Sequence, residues 1–327
     1  MSKQKTTNPF YLFDLIAKLF KSKNIPAILY LTLNIAIVSL IFYELFFKSP
    51  IAILYGVVVY LIAAVIAISP VGEWILRLTQ GCSKLKTDNP KQLAILNRLE
   101  PLFVEVLNRA RSKQVDYAIS DNINLYIKED EDANAFALGR NTVCVTTGLL
   151  KHSNGEIKAI LGHEVGHLAA HDTDLVLLIT VGNFIVTAIV TIFKLIILLY
   201  KLVFSIATLF VGGSEGLLGR IVAGIASFFT LIAVDLVMYL WTQLGILMVM
   251  KTSRSAEYAA DAFSCDLGYT DGLLSFLAKL PDSENFPSGK GSLKERTQVF
   301  AALSESHPAT YKRIAKIEDH MGILEGI

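Results

Sequence analysis

Ile25 to Phe47 and Ile51 to Ser69 are two nearly unbroken apolar runs, separated only by Lys48-Ser49-Pro50. Each is long enough to span roughly 30 Å of hydrocarbon. A segment that spans lipid must satisfy its own backbone hydrogen bonds, so each run is expected to be a helix. With so short a break, the pair predicts a tight transmembrane hairpin over residues 25–69. Thr32, Asn34, Ser39 and Glu44 are the polar exceptions in the first run.

A second block, Leu175 to Met250, repeats the pattern and is broken at Gly212-Gly213-Ser214-Glu215-Gly216 and at Arg220. Each half is long enough for a further crossing, so the chain is expected to cross about four times. Lys194, Lys201 and Asp235 lie inside this block, where charge is costly unless it snorkels or faces protein. The whole sequence is 53% hydrophobic and 18% charged over 327 residues, too apolar for an ordinary soluble domain. The amino-terminal segment 1–24 carries Lys3, Lys5, Lys18, Lys21 and Lys23, and Arg77, Lys84, Lys86 and Lys91 follow the hairpin. An even number of crossings puts both groups on one side, and the positive charge makes that side cytoplasmic. No small-residue cleavage site follows the first apolar run, which therefore reads as a retained anchor.

Between and after these blocks the character changes. Pro70 to Asp174 is charged, with short β-branched stretches at Val115–Ser120, Ile123–Lys128 and Thr142–Thr147. Ser153-Asn154-Gly155-Glu156 is a capping box, so a helix is expected from about Asn154. After Lys251 the chain is polar and helical again, with a loop over 282–294 and a final helix from Pro308. Residues 70–174 and 251–327 are thus expected to be two parts of one water-exposed α+β domain, interrupted by the second membrane pair over 175–250. Lys and Arg total 30 against 29 for Asp and Glu, a balance that gives no general attraction for nucleic acid. Cys82, Cys144 and Cys265 are few, far apart and without a CxxC, which predicts free thiols in a reducing compartment.

His163-Glu164-Val165-Gly166-His167 falls inside the capped helix. At four residues' separation both imidazoles project from one face and can clamp a metal. Imidazole nitrogen suits zinc, and a catalytic site needs a third protein donor and one open position. Glu164 would then take the proton from the attacking water. Glu257 and Asp261 offer two carboxylates on one downstream helical face. One can ligate while the other orients a ligand, and a metal-bound histidine commonly donates its second N–H to such a carboxylate. His167 and Glu257 can share a metal because two crossings separate them. His171 continues the histidine face but reads as a rim residue. Thr142–Thr147 could form a sheet edge that receives an extended peptide, or an ordinary interior strand.

Asn134 to Arg140 (NAFALGR), Thr147 to Leu150 (TGLL), the HExxH pentad, Ser253 to Asp261 and Ser306-His307-Pro308 together resemble the HtpX-type membrane zinc metallopeptidases, relatives of the CAAX prenyl protease. The resemblance covers most of the chain, with Ala309 standing where a second Pro is common. It implies a multi-pass protein of the bacterial inner membrane, with a zincin-like domain in the cytoplasm and one zinc per chain. It further implies Glu257 as third ligand, Asp261 and Arg313 supporting the ligands, His307 stabilising the transition state, and Asn134 with Ala135 contacting substrate. The expected activity is endoproteolysis of protein or peptide substrates, among them misfolded membrane proteins. A catalytically silent zinc-containing scaffold or chaperone is the alternative from another class, and Glu164 counts against it because a structural site needs no base. A transport role for Lys194, Lys201 and Asp235 is a third reading.

Overall fold

The computed structural model describes residues 25–45, 48–113, 119–209, 255–280 and 308–325, with 224, 225, 232, 236 and 239–241 as isolated positions. Helices α1 (Ile25–Leu45) and α2 (Pro50–Ala67) form the expected hairpin and pack along each other. Lys48 takes a left-handed φ of 59° in the turn and donates its N–H to the Tyr43 carbonyl at 2.9 Å. Pro50 opens α2 where no N–H partner is needed. The third apolar helix is α6 (Thr173–Leu209), which packs against α2.

Two of these, α2 and the Val176–Tyr200 stretch of α6, are long and apolar enough to cross a membrane, while the apolar stretch of α1, Ile28–Glu44, is shorter. Most of the expected fourth crossing lies outside the described residues, as do the side chains of Lys201 and Asp235. Trp241 is described, and its ring stacks on Tyr30 with centroids 5.4 Å apart. Its indole N–H donates to Asn34 Oδ1 at 3.1 Å. Asn34 donates in turn to Asn183 and to the Tyr60 hydroxyl, and Asn183 donates to the Tyr30 hydroxyl at 2.6 Å. In an apolar bundle such side-chain bonds fix which helices pair and in what register.

The remaining elements lie outside the apolar helices: α3 (Pro70–Thr79), α4 (Pro90–Ser112), β1 (Asn124–Lys128), β2 (Ala135–Leu138), β3 (Thr142–Thr146) and α5 (Asn154–Ala169). After α6 come α7 (residues 255–266), α8 (Thr270–Leu277) and α9 (Thr310–Glu325). The sheet order is β1-β3-β2, with β3 parallel to β1 and antiparallel to β2. Alternation along the strands divides the sheet into two faces. Leu125, Val143, Val145, Ala135 and Ala137 join the main core with α4, α5, α7 and α8. Phe136 and Leu138 pack instead with Leu76 of α3 and Leu177 and Val181 of α6. The sheet is therefore held between the α5 helix and the roots of the apolar helices.

Two of the three expected strands form, as β1 and β3. Thr142–Thr146 is the buried central strand, paired on both sides, so the interior-strand alternative holds and the edges are β1 and β2. The Ala135–Leu138 strand was not anticipated, because Ala is a poor strand former and four residues give no visible period. Of Val115–Ser120, residues 115–118 lie outside the described residues, and Ile119 and Ser120 are not in a strand. The 282–294 loop also lies outside, and the last helix begins at Thr310 rather than Pro308.

The capping box forms as expected: Ser153 Oγ accepts from the Glu156 N–H at 3.3 Å, and Glu156 accepts from the Ser153 N–H at 3.1 Å. Glu156 is buried and also accepts from Ser275 Oγ at 2.5 Å and from Lys279, which joins the start of α5 to the end of α8. Burial alone would raise its pKa, but Lys279, Ser275 and Ser153 outweigh burial and bring it from 4.5 down to about 2. A carboxylate depressed on folding stabilises above its unfolded pKa, and that contribution is lost as pH falls through the folded value. Thermal melts of wild type against Glu156→Gln should thus differ most above about pH 4.5 and converge towards about pH 2.

Candidate active site

Ser153 and Glu156 fix where α5 starts, and that register carries His163, Glu164 and His167 onto the buried part of the helix. Gly162 and Gly166 alternate with these residues. A Cβ on Gly162 would lie 2.9 Å from Ser264 Oγ, and one on Gly166 would lie 3.2 Å from the Ala260 Cα. The two glycines let α7 lie directly on α5, and Ser264 Oγ holds it there by donating to the Ala159 carbonyl at 2.7 Å. That approach brings Glu257 to the histidines although the two segments are separated by the whole of α6.

His163 Nε2 and His167 Nε2 are 3.2 Å apart; Glu257 Oε2 is 3.4 Å from the first, and Oε1 is 3.3 Å from the second. All three residues are in one cluster of potential metal donors, with atoms within 4.8 Å of one another. Donors held tetrahedrally about 2.0–2.1 Å from one zinc ion stand about 3.3 Å apart. The observed spacings fit that ion. Two nitrogens and one carboxylate are also the donor set of a catalytic rather than a closed structural site.

Asp261, one turn beyond Glu257, places Oδ1 2.8 Å from His163 Nδ1, so of the two histidines it serves His163. Arg313 on α9 grips Asp261 in a two-pronged pair, Nε to Oδ2 at 2.8 Å and Nη2 to Oδ1 at 2.6 Å, all buried. Burial would push the Asp261 carboxyl up, but the Arg313 guanidinium and His163 outweigh it and hold the group well below the usual carboxylate range. Burial likewise pulls both imidazoles down, yet Asp261 and Glu257 raise His163, and Asp172 and Glu257 raise His167. At both imidazoles the neighbouring carboxylates thus outweigh burial. Asp172, whose Oδ2 is 3.6 Å from His167 Nδ1, was missed in the sequence, where it sits in an ordinary-looking polar turn. Asp261→Asn is expected to lower metal affinity or activity by roughly 10–100-fold, as competition with a chromogenic chelator would show.

Glu164 points the other way, towards the sheet. Its Oε2 accepts the Ala137 N–H at 2.8 Å, and its Oε1 is 4.0 Å from His163 Nε2. β2 is one of the two edge strands of the described sheet, and in an antiparallel pair alternate residues turn their N–H and C=O outward. Asn134 bonds β3 through Thr146, its C=O accepting from the Thr146 N–H at 2.9 Å, so Ala135 and Ala137 are the outward-facing residues. Their small side chains let α5 come close enough for Glu164 to reach the main chain. The Asn134 N–H is also taken, donating to Thr146 Oγ1 at 2.8 Å, which leaves its half-buried side chain as the group it can offer. His171 sits at a left-handed φ of 55° in the turn between α5 and α6, outside the donor cluster. His307 lies outside the described residues.

The profile of Peptidase family M48 matches residues 105–321. The protein named Protease HtpX of Shewanella pealeana is 27% identical over 263 residues, 76% of this chain and 82% of its own length. Protease HtpX of Hahella chejuensis is 31% identical over 197 residues, 57% of this chain and 61% of its own. Protease HtpX homolog of Lactobacillus acidophilus is 30% identical over 214 residues, 60% of this chain and 67% of its own. The matched range runs from within α4 into α9 and takes in the donor cluster, Glu164, Asp261 and Arg313. The chain belongs to peptidase family M48, as a metal-dependent protease of the HtpX type.

Proposed function

We propose that this protein is a multi-pass membrane zinc endopeptidase with its active site at the cytoplasmic surface. His163, His167 and Glu257 would hold one zinc ion per chain, and the observation that carries this is the 3.2–3.4 Å spacing of their donor atoms. Bound there, zinc would polarise the scissile carbonyl and acidify a water molecule. Glu164 takes the proton from the attacking water and passes it to the leaving amine. Its bond to the Ala137 N–H aims the carboxylate and places it beside the β2 edge. An extended substrate pairs with that edge through the outward groups of Ala135 and the Ala137 carbonyl, the Ala137 N–H being held by Glu164, while Asn134 contacts its backbone and His307 stabilises the developing negative charge. Asp261 and Arg313 keep His163 in the orientation that binds metal.

Four crossings, with 70–174 and 251–327 forming one domain, are supported by the meeting of His167 with Glu257 and of Trp241 with Tyr30 across the sequence of α6. The Lys and Arg surplus around the hairpin favours the cytoplasm for the site. Quality control of misfolded membrane proteins is the proposed role: α5 ends at Ala169 and α6 starts at Thr173, so the histidines stand close to the membrane root. Incubating the detergent-purified enzyme with unfolded casein and with a prenylated CAAX peptide tests this reading. Chelator-sensitive cleavage of casein, with the prenylated peptide left intact, is the expected result. Selective cleavage of the prenylated peptide would move the protein to lipid-modified substrates.

A further inference from the structure

Helix α3 is built inside out. Its buried side carries Gly72, Glu73 and Leu76, with Arg77 half-buried, while Val71, Trp74 and Leu78 form a stripe on the outside at i, i+3 and i+7, exposed by 53%, 53% and 59%. A helix bathed in water carries the opposite arrangement. The charges of the buried side are used within the protein: Glu73 Oε1 accepts from Arg77 at 3.0 Å and from Thr142 Oγ1 at 2.6 Å, and Glu73 Oε2 accepts from the Arg140 N–H at 3.3 Å. In the sequence the stripe follows α2, whose Val58, Leu61, Ile62 and Val65 are likewise exposed, after the Ile68-Ser69 turn. Ser69 Oγ accepts from the Val71 N–H at 3.1 Å and Pro70 opens the helix, so the chain changes direction there by a capped start. Leu76 packs with Leu177 and Val181 at the beginning of α6, which puts α3 level with the root of that helix. Exposed Lys84 and Lys86 follow within the next turns.

We propose that α3 is an in-plane membrane-surface helix: Val71, Trp74 and Leu78 enter the boundary between lipid headgroups and acyl chains and seat the peptidase domain on the bilayer. Tryptophan favours that boundary, and basic residues beside it favour anionic headgroups. Through Glu73 and Arg77 the seat is joined to Thr142 on β3 and to the β2–β3 turn. Arg140 in that turn also makes a two-pronged pair with Asp174 at the start of α6, at 2.6 and 3.0 Å. The height of the β2 edge above the lipid is thereby fixed, which suits substrates whose cleavable segment lies close to the membrane surface. The inference rests on the reading of α2 and α6 as membrane-crossing.

The test uses the full-length protein in vesicles made with phosphatidylcholine brominated near the headgroup end or near the tail end of its chains. The chain has two tryptophans, so the emission lost on Trp74→Phe substitution reports Trp74. Expected is strong quenching of that component by the shallow bromines, weaker quenching by the deep ones, and protection from aqueous iodide. Quenching by iodide without quenching by bromine would show a water-facing stripe and overturn the proposal. So would quenching by neither, which means cover by another segment or a second copy, or stronger quenching by the deep bromines. Co-flotation with vesicles after an alkaline wash, measured on the same samples, reports the crossing helices separately. A second pair of variants, Val71→Cys and Leu78→Cys with a polarity-sensitive dye, repeats the measurement at the ends of the stripe.

Discussion

Glu164→Gln should reduce casein cleavage by about 10²–10⁴-fold, equivalent to about 3–5 kcal/mol of lost barrier reduction, while leaving bound zinc at one per chain. The substitution keeps shape and removes basicity. The Glu164 carboxylate is 4.0 Å from His163 Nε2 and accepts the Ala137 N–H at 2.8 Å, a bond in which the glutamine amide oxygen can replace it. The donor cluster does not include it, so metal content should not move. Parallel assays of cleavage and of zinc by mass spectrometry check both halves. Full activity in the variant would remove Glu164 from the proton transfer.

Glu257→Ala should have the opposite signature: zinc lost from the purified protein, cleavage undetectable, and the melting temperature no longer responsive to added zinc. The side chain is buried and stands 3.3 and 3.4 Å from the two histidine nitrogens, so nothing from solvent can replace its charge without entering the site. Removing it leaves the two imidazoles without the third member of the donor cluster, since Asp261 on the same helix is engaged by Arg313 and His163 Nδ1. Substitutions of residues that only support a ligand already cost roughly 10–100-fold in affinity or activity, and loss of a ligand should exceed that. Together the two variants divide the site into a part that binds and a part that reacts. Retention of stoichiometric zinc by Glu257→Ala would mean that another residue supplies the third bond.

Much of this site is legible in the sequence because helices repeat every few residues. The spacing of His163 with His167 and of Glu257 with Asp261 announces two helical faces before any fold is known. Apolar length does the same for the α1–α2 hairpin, and the Ser153–Glu156 box for the start of α5. What the sequence hides are contacts made by the folded chain alone. Asp172 looks like a turn residue until α5 ends beside it. β2 is four residues of Ala-Phe-Ala-Leu, too short and too poor in β-branched residues to register as a strand, so edge and interior stayed open for Thr142–Thr147. Arg77 counts in the sequence only as one of the basic residues after the hairpin, whereas the fold buries Glu73 and turns both side chains to Thr142. At β2 it is sheet pairing that overrides local propensity.

The most direct test of the account is the metal content of the well-folded, full-length wild-type protein, measured with casein cleavage before and after chelation. The account predicts one zinc ion per chain, loss of cleavage with the metal, and recovery of both when zinc is restored. Folded protein that holds no zinc, or that cleaves equally well without it, would contradict it.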